Sequence, residues 1–183
     1  MFKVVDNETF SVVKKHKKDA PKHVKVWIIV VSDSKYEMKI QGLENVDVSG
    51  SLITKLFIVS GHSVEKYDIV PDSGELIEEQ FEAFLRSNAD LIVFSGGTGI
   101  TKKDITVETI KPKLDKILEG FGELFRYLSY KEIGAAAFLS RAFSGVVDGK
   151  IVFCLPGSPN AVKLAVEKLI LPEIGHAVKM VRS

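Results

Sequence analysis

The chain has 183 residues, enough for one domain with a substantial core, since single domains typically hold about 100–200 residues. Its 25 lysines and arginines offset 24 aspartates and glutamates, for a net charge of +1, so no global field draws it to nucleic acid or to a membrane surface. A single cysteine, Cys154, excludes an intrachain disulfide and a cysteine-ligated cluster, and its apolar run IVFCL reads as core rather than as a reactive thiol.

The N-terminal residues lack the apolar core of a signal peptide, and no apolar run approaches the roughly 18 residues of a membrane span. A cytoplasmic protein is expected. Residues 1–23 read as a basic arm, with KKHKK at 14–18 followed by Pro21, ahead of a domain at 24–183. A solvated tail accounts for such a charge run, although a neighbouring subunit would also order it.

From Val24 onward strand and helix signals alternate. Residues 26–31 (VWIIVV) are a β-branched apolar run of strand length. Residues 49–60 carry Leu52, Ile53, Leu56 and Val59 on one helical stripe, which Gly61 stops. A half-polar strand is predicted over 64–70, a helix over 73–87 that buries Leu76, Ile77, Phe81, Phe84 and Leu85, and a buried strand over 91–94. Helices are expected over 105–118, broken or started by Pro112, and over 121–130. A strand at 150–155 then leads through PGSPN to a helix ending near Ile170, with Ser158 as its cap and Pro159 in its first position.

This alternation predicts an α/β fold: a three-layer sandwich whose mostly parallel sheet is covered on both faces. Ligands of such sheets collect beyond the carboxyl ends of the strands. Four polar loops follow apolar runs and should converge on one edge: Ser32 and Asp33, residues 70–72 (VPD), residues 95–104 (SGGTGITKKD) and residues 156–159 (PGSP).

The loop at 95–104 is neither a Walker A motif nor a dinucleotide fingerprint. Three glycines in four positions exceed what a turn needs; Gly96, Gly97 and Gly99 leave backbone N–H groups open to an anion, with Ser95, Thr98 and Lys102 or Lys103 beside them. Asp104 either caps the following helix or holds Mg²⁺. Asp72, with Glu75, is close to a capping box for the helix at 73, and its place at a strand's carboxyl end beside Pro71 still makes it a candidate second carboxylate. Two carboxylates near a glycine-rich phosphate site fit metal-assisted phosphoryl or nucleotidyl transfer. Gly157 permits close backbone approach between the prolines at 156 and 159. His16, His23, His62 and His176 show no metal-ligand spacing, and no nucleophile elbow appears.

These loops, with the DVSG turn at 47–50, GFGELFR at 120–126 and LSR at 139–141, resemble in order the MogA/MoaB family of molybdenum cofactor biosynthesis, most closely its MoaB side. The likeness spans about residues 24–180. It implies a molybdopterin-binding α/β domain, trimeric or hexameric, whose active members adenylylate the terminal phosphate of molybdopterin with Mg-ATP and release pyrophosphate. Other pathway proteins are further partners it suggests. The family's two functional acidic positions fall on Asp72 and Asp104, taken as Mg²⁺- and phosphate-positioning groups. The glycine loop and the 156–159 loop would hold pterin phosphate and nucleotide, with Ser32 and Asp33 alongside, and Ser140 and Arg141 would close the same pocket. An Asp104→Asn change is expected to spare the fold and abolish transfer. The alternative is a binding or delivery protein of the same fold that transfers nothing; an unrelated nucleotide hydrolase comes third.

Overall fold

The computed structural model describes residues 20–43 and 47–183. The KKHKK stretch therefore lies outside the described residues, while residues 20–23 lie against the domain: His23 Nδ1 bonds Gly61 O at 2.7 Å. Six strands form one sheet: β1 (Lys25–Val31), β2 (Ser63–Val70), β3 (Leu91–Ser95), β4 (Lys116–Ile117), β5 (Phe143–Val147) and β6 (Lys150–Leu155). Their order is β2-β1-β3-β6-β5-β4. The first four run parallel, whereas β5 pairs antiparallel with both β6 and β4.

Period-two alternation sorts side chains between two apolar layers. Val26 and Ile28 of β1, with Leu91 and Val93 of β3, face a cluster built from α2 (Val48–Val59), α5 (Glu119–Ile133), α6 (Pro159–Ala165) and α7 (Ile174–Val181). Ile29, Val31, Ile92 and Phe94 face the other cluster, where α3 (Gly74–Leu85) contributes Ile77, Phe81 and Phe84 and α4 (Thr106–Ile110) contributes Ile110. The three-layer α/β architecture is as expected.

Several elements differ from expectation. The helix predicted over 105–118 ends early: α4 passes into a 3₁₀ turn at Lys111–Lys113, and the chain then extends into β4. Pro112 lacks an N–H to continue a helix, and β5 supplies partners to the extended backbone. Helix α1 (Asp33–Ile40) buries no residue, so it leaves no apolar stripe to read. The β5–β6 hairpin turns through Asp148 and Gly149, both at positive φ (49° and 69°), as an Asp-Gly pair favours. Helix α6 runs on through a π turn, Val166–Ile170, before α7.

Candidate functional site

Between β1 and β3 the connections diverge to opposite sides of the sheet, a switch point where α/β folds open a crevice at the strand carboxyl ends. The backbones meet there closely. Gly96 has φ +115°, and a Cβ on it would lie 2.1 Å from Val31 O. Gly97, at φ +62°, is likewise confined: a Cβ would lie 2.2 Å from Thr106 Oγ1. Thr106 is fully buried and holds both glycines, donating its hydroxyl to Gly96 O (2.9 Å) and its N–H to Gly97 O (3.0 Å). The turn is thus a steric requirement of the sheet.

All four predicted loops converge on this edge. Ser32 N donates to Val70 O, and Gly96 N to Leu155 O, both at 2.9 Å. Asp33 and Asp72 lock their loops reciprocally: Asp72 N donates to Asp33 Oδ1 at 2.9 Å and Asp33 N to Asp72 Oδ2 at 3.2 Å. Ser95, fully buried, donates to Pro156 O, and Ser49 donates to Gly157 O. Ser158 caps α6 by accepting Ala161 N–H, with Pro159 in the first turn, as the sequence predicts. Asp47 caps α2 through Gly50 N–H and is held by Lys35 and the Tyr67 hydroxyl. Thr98 is buried at 2% exposure.

The two acidic candidates meet at the glycine turn. Asp72 Oδ1 lies 3.2 Å from where a Gly97 Cβ would be, and Asp104 Oδ2 lies 2.8 Å from a Gly99 Cβ. Neither caps a helix by its side chain: Ser73 stands at the N-cap of α3 and Ile105 at that of α4. Their environments differ. Burial raises the Asp72 carboxyl above its ordinary range; the Asp33 N–H bond opposes this, while the negative charges of Asp33 and Asp104 add to it. For Asp104 burial also acts upward, but bonds from Thr101 and Gly99 and the charge of Arg141 outweigh it and hold the carboxyl low. Asp104 accepts from Gly99 N (3.0 Å), Thr101 N (2.8 Å) and Thr101 Oγ1 (2.6 Å). An amide NH₂ in place of either carboxylate oxygen would face one or more of these donors, so Asp104→Asn would disturb the loop as well as the charge.

Of the lysines, Lys103 pairs with Asp33 at 3.2 Å and Lys102 lines a cavity with Thr101 and Asp104. Arg141 stands behind the loop: Nε donates to Gly99 O at 2.7 Å and Nη2 to Asp104 O at 3.0 Å, while Glu108 pairs with its guanidinium. Ser140 lines a neighbouring cavity. Sequence reading does not find the Glu108 pairing; its only trace is a carboxylate one helical turn after Asp104. Among the described residues no group of three or more His, Cys, Asp or Glu is arranged to hold a metal. Two carboxylates at one turn suit Mg²⁺, which takes one or two such ligands and fills its octahedron with phosphate oxygens and water.

A family profile described as a probable molybdopterin binding domain matches residues 27–176. Molybdenum cofactor biosynthesis protein B of Bacillus cereus is 46% identical over 166 residues, covering 90% of this chain and 94% of its own. The Bacillus subtilis protein of that name is 41% identical over 172 residues, covering 93% and 97%. Among solved structures, the tungsten cofactor synthesizing protein MoaB from Pyrococcus furiosus superposes with a TM-score of 0.77 at 44% identity, covering 90% of this chain and 100% of that one. A MogA structure superposes at 0.75 with 26% identity, covering 86% and 99%. With the fold, the converging loops and the length of these matches in agreement, the chain belongs to the MogA/MoaB family of molybdopterin-binding, molybdenum cofactor biosynthesis proteins.

Proposed function

We propose that this protein acts in molybdenum cofactor biosynthesis by adenylylating the terminal phosphate of molybdopterin with Mg-ATP and releasing pyrophosphate. The observation that carries the reading is the meeting of Asp72 and Asp104 at a backbone-lined glycine turn, in a chain with relatives that bear this pathway's name. In the step, a molybdopterin phosphate oxygen attacks the α-phosphorus of ATP, and the bond to the pyrophosphate oxygen breaks. Two anions must therefore approach. Contrary to the sequence expectation, Gly96 N–H is spent on Leu155 O and Gly99 N–H on Asp104, so the Gly97 N–H and the Lys102 ammonium would offset their repulsion while the rigid loops hold the two anions in line. Asp72 and Asp104 would hold Mg²⁺, which supplies charge neutralisation at the phosphate oxygens.

One observation favours the alternative of a binding protein that transfers nothing: the Asp104 carboxylate is already committed to three bonds within its loop. Asp72→Asn is the cleaner probe, since among the described residues Asp72 accepts only the Asp33 N–H and an amide oxygen can replace that acceptor. Wild-type protein given molybdopterin and Mg-ATP should yield adenylylated product and pyrophosphate, and Asp72→Asn should slow this by about a hundredfold or more. Molybdopterin binding without pyrophosphate release would establish the binding protein instead. Assembly into a trimer or hexamer belongs to the same reading. An exposed row on and just after α5, with Leu124, Tyr127, Tyr130, Ile133 and Phe138 between 54% and 75% exposed, offers an apolar face for it.

A further inference from the structure

Residues 156–158 belong to no strand or helix, so side chains from elsewhere must hold this loop beside the glycine turn. Two hydroxyls do so. Ser95 Oγ, at the end of β3, donates to Pro156 O at 3.3 Å, and Ser49 Oγ, in the first turn of α2, donates to Gly157 O at 2.7 Å. Both serines are buried, at 0% and 2% exposure, so neither hydroxyl is open to a ligand. The Ser49 bond is the shorter, and it joins residues 108 apart in the chain.

Ser49 is itself pinned. Asp47, 3% exposed, accepts the Gly50 N–H at 3.0 Å, the Tyr67 hydroxyl at 2.5 Å and the Lys35 ammonium at 2.5 Å. The first turn of α2 lies so close to β1 that a Cβ on Gly50 would come 2.9 Å from Val30 Cγ2. The backbone that carries Ser49 is therefore fixed to the sheet, and its hydroxyl passes that constraint to the loop.

The loop in turn packs on Gly96. A Cβ on Gly157 would be 3.5 Å from Gly96 Cα and 3.9 Å from Gly96 N, both ordinary contact distances. On the opposite face of the sheet, Thr106 of α4 grips the same turn through Gly96 O and Gly97 O. The turn is thus held from both helical layers, directly by Thr106 and at one remove by Ser49. The Gly97 N–H has no partner among the described residues, and such a donor serves an anion only while its direction is fixed.

Resting on the function proposed above, we propose that Ser49 is a positioning residue for the phosphate-binding turn: its hydroxyl locks residues 156–158 onto Gly96 and so helps to aim the Gly97 N–H. Without that hydroxyl, Gly157 O loses its donor and finds a new one by moving toward water, which takes the loop off the turn.

The test compares the full-length wild type, Ser49→Ala, and Lys150→Met, a destabilising change at the far end of β6. Hydrogen exchange without ligand, read residue by residue, comes first. In Ser49→Ala the amides of Gly96 and Thr106, which donate to Leu155 O and Gly97 O, should exchange about tenfold faster. The Asp90 amide, bonded to Lys25 O at the other end of β3, should stay within about twofold. Calorimetric titration with a Mg²⁺-bound ATP analogue carrying a non-cleavable α,β-bridge comes second. Ser49→Ala should raise its Kd about fivefold with the number of sites unchanged, and Lys150→Met should keep the wild-type Kd. Lost folded protein alone would lower the number of sites and leave the affinity as it was. Unchanged exchange at Gly96 and Thr106, a wild-type Kd in Ser49→Ala, or equal weakening in Lys150→Met would overturn the assignment. Faster exchange at the turn in Ser49→Ala, with no analogue bound even by the wild type, would keep the lock and sink the nucleotide reading.

Discussion

Replacing Gly96 with alanine tests whether the glycine turn is forced by the sheet. Two costs are separable. The first is conformational: a non-glycine residue at positive φ costs about 1–2 kcal/mol. Gly61→Ala isolates this cost, since Gly61 sits at φ +85° with nothing within 4 Å of an added Cβ. The second is steric. At Gly96 the added Cβ would sit 2.1 Å from Val31 O, a backbone atom of the interior strand β1 that cannot rotate away. Restoring ordinary contact requires about 1 Å of separation between β1 and the turn, and overpacking of this kind costs about 1–3 kcal/mol. Gly96→Ala should therefore lose about 2–5 kcal/mol and Gly61→Ala about 1–2, a gap of roughly 2 kcal/mol. Urea unfolding with linear extrapolation measures both. Equal losses, within about half a kcal/mol, would refute the steric argument and leave the turn shaped by ligand alone.

Asp72 gives a pH prediction. Its folded carboxyl is raised above 3.8, so it favours the folded state below the unfolded value and that contribution is lost as pH rises through the raised one. At neutral pH ionised Asp72 is a net cost, partly screened by solvent. Asp72→Asn should then gain about 0.5–1 kcal/mol at pH 7, roughly 2 °C in Tm, and the gain should vanish near pH 3; melting curves showing no gain at pH 7 would contradict the crowding of charge at the turn. Lys150 closes the end of α3 by donating to the carbonyls of Phe84, Ser87 and Ala89 at 3.2, 2.6 and 2.9 Å. Lys150→Met keeps the stem but loses all three bonds and should cost about 2 kcal/mol, or roughly 4–8 °C, by calorimetry; an unchanged Tm would mean that water replaces the ammonium without loss.

What could be read from the chain was whatever depends on local pattern. Strands β1, β3 and β6 are long apolar runs, α2 and α3 carry clear stripes, and a polar loop behind each parallel strand already implied one functional edge. Neither β5 nor β4 is among the expected elements: the Asp148–Gly149 pair is a hairpin signal only once a strand is recognised before it, and two residues become β4 only when β5 lies beside them. The same limit governs the site. Residue type marks Asp72, Asp104 and Arg141 as candidates for chemistry. Only the packed chain decides that Asp104 is bound up in its own loop, that the Asp72 Oδ1 comes beside Gly97, and that Arg141 braces the loop from behind while facing a second, cationic cavity. Hydrogen-bond partners and local field depend on which side chains distant segments bring within a few ångströms, and sequence spacing carries no record of that.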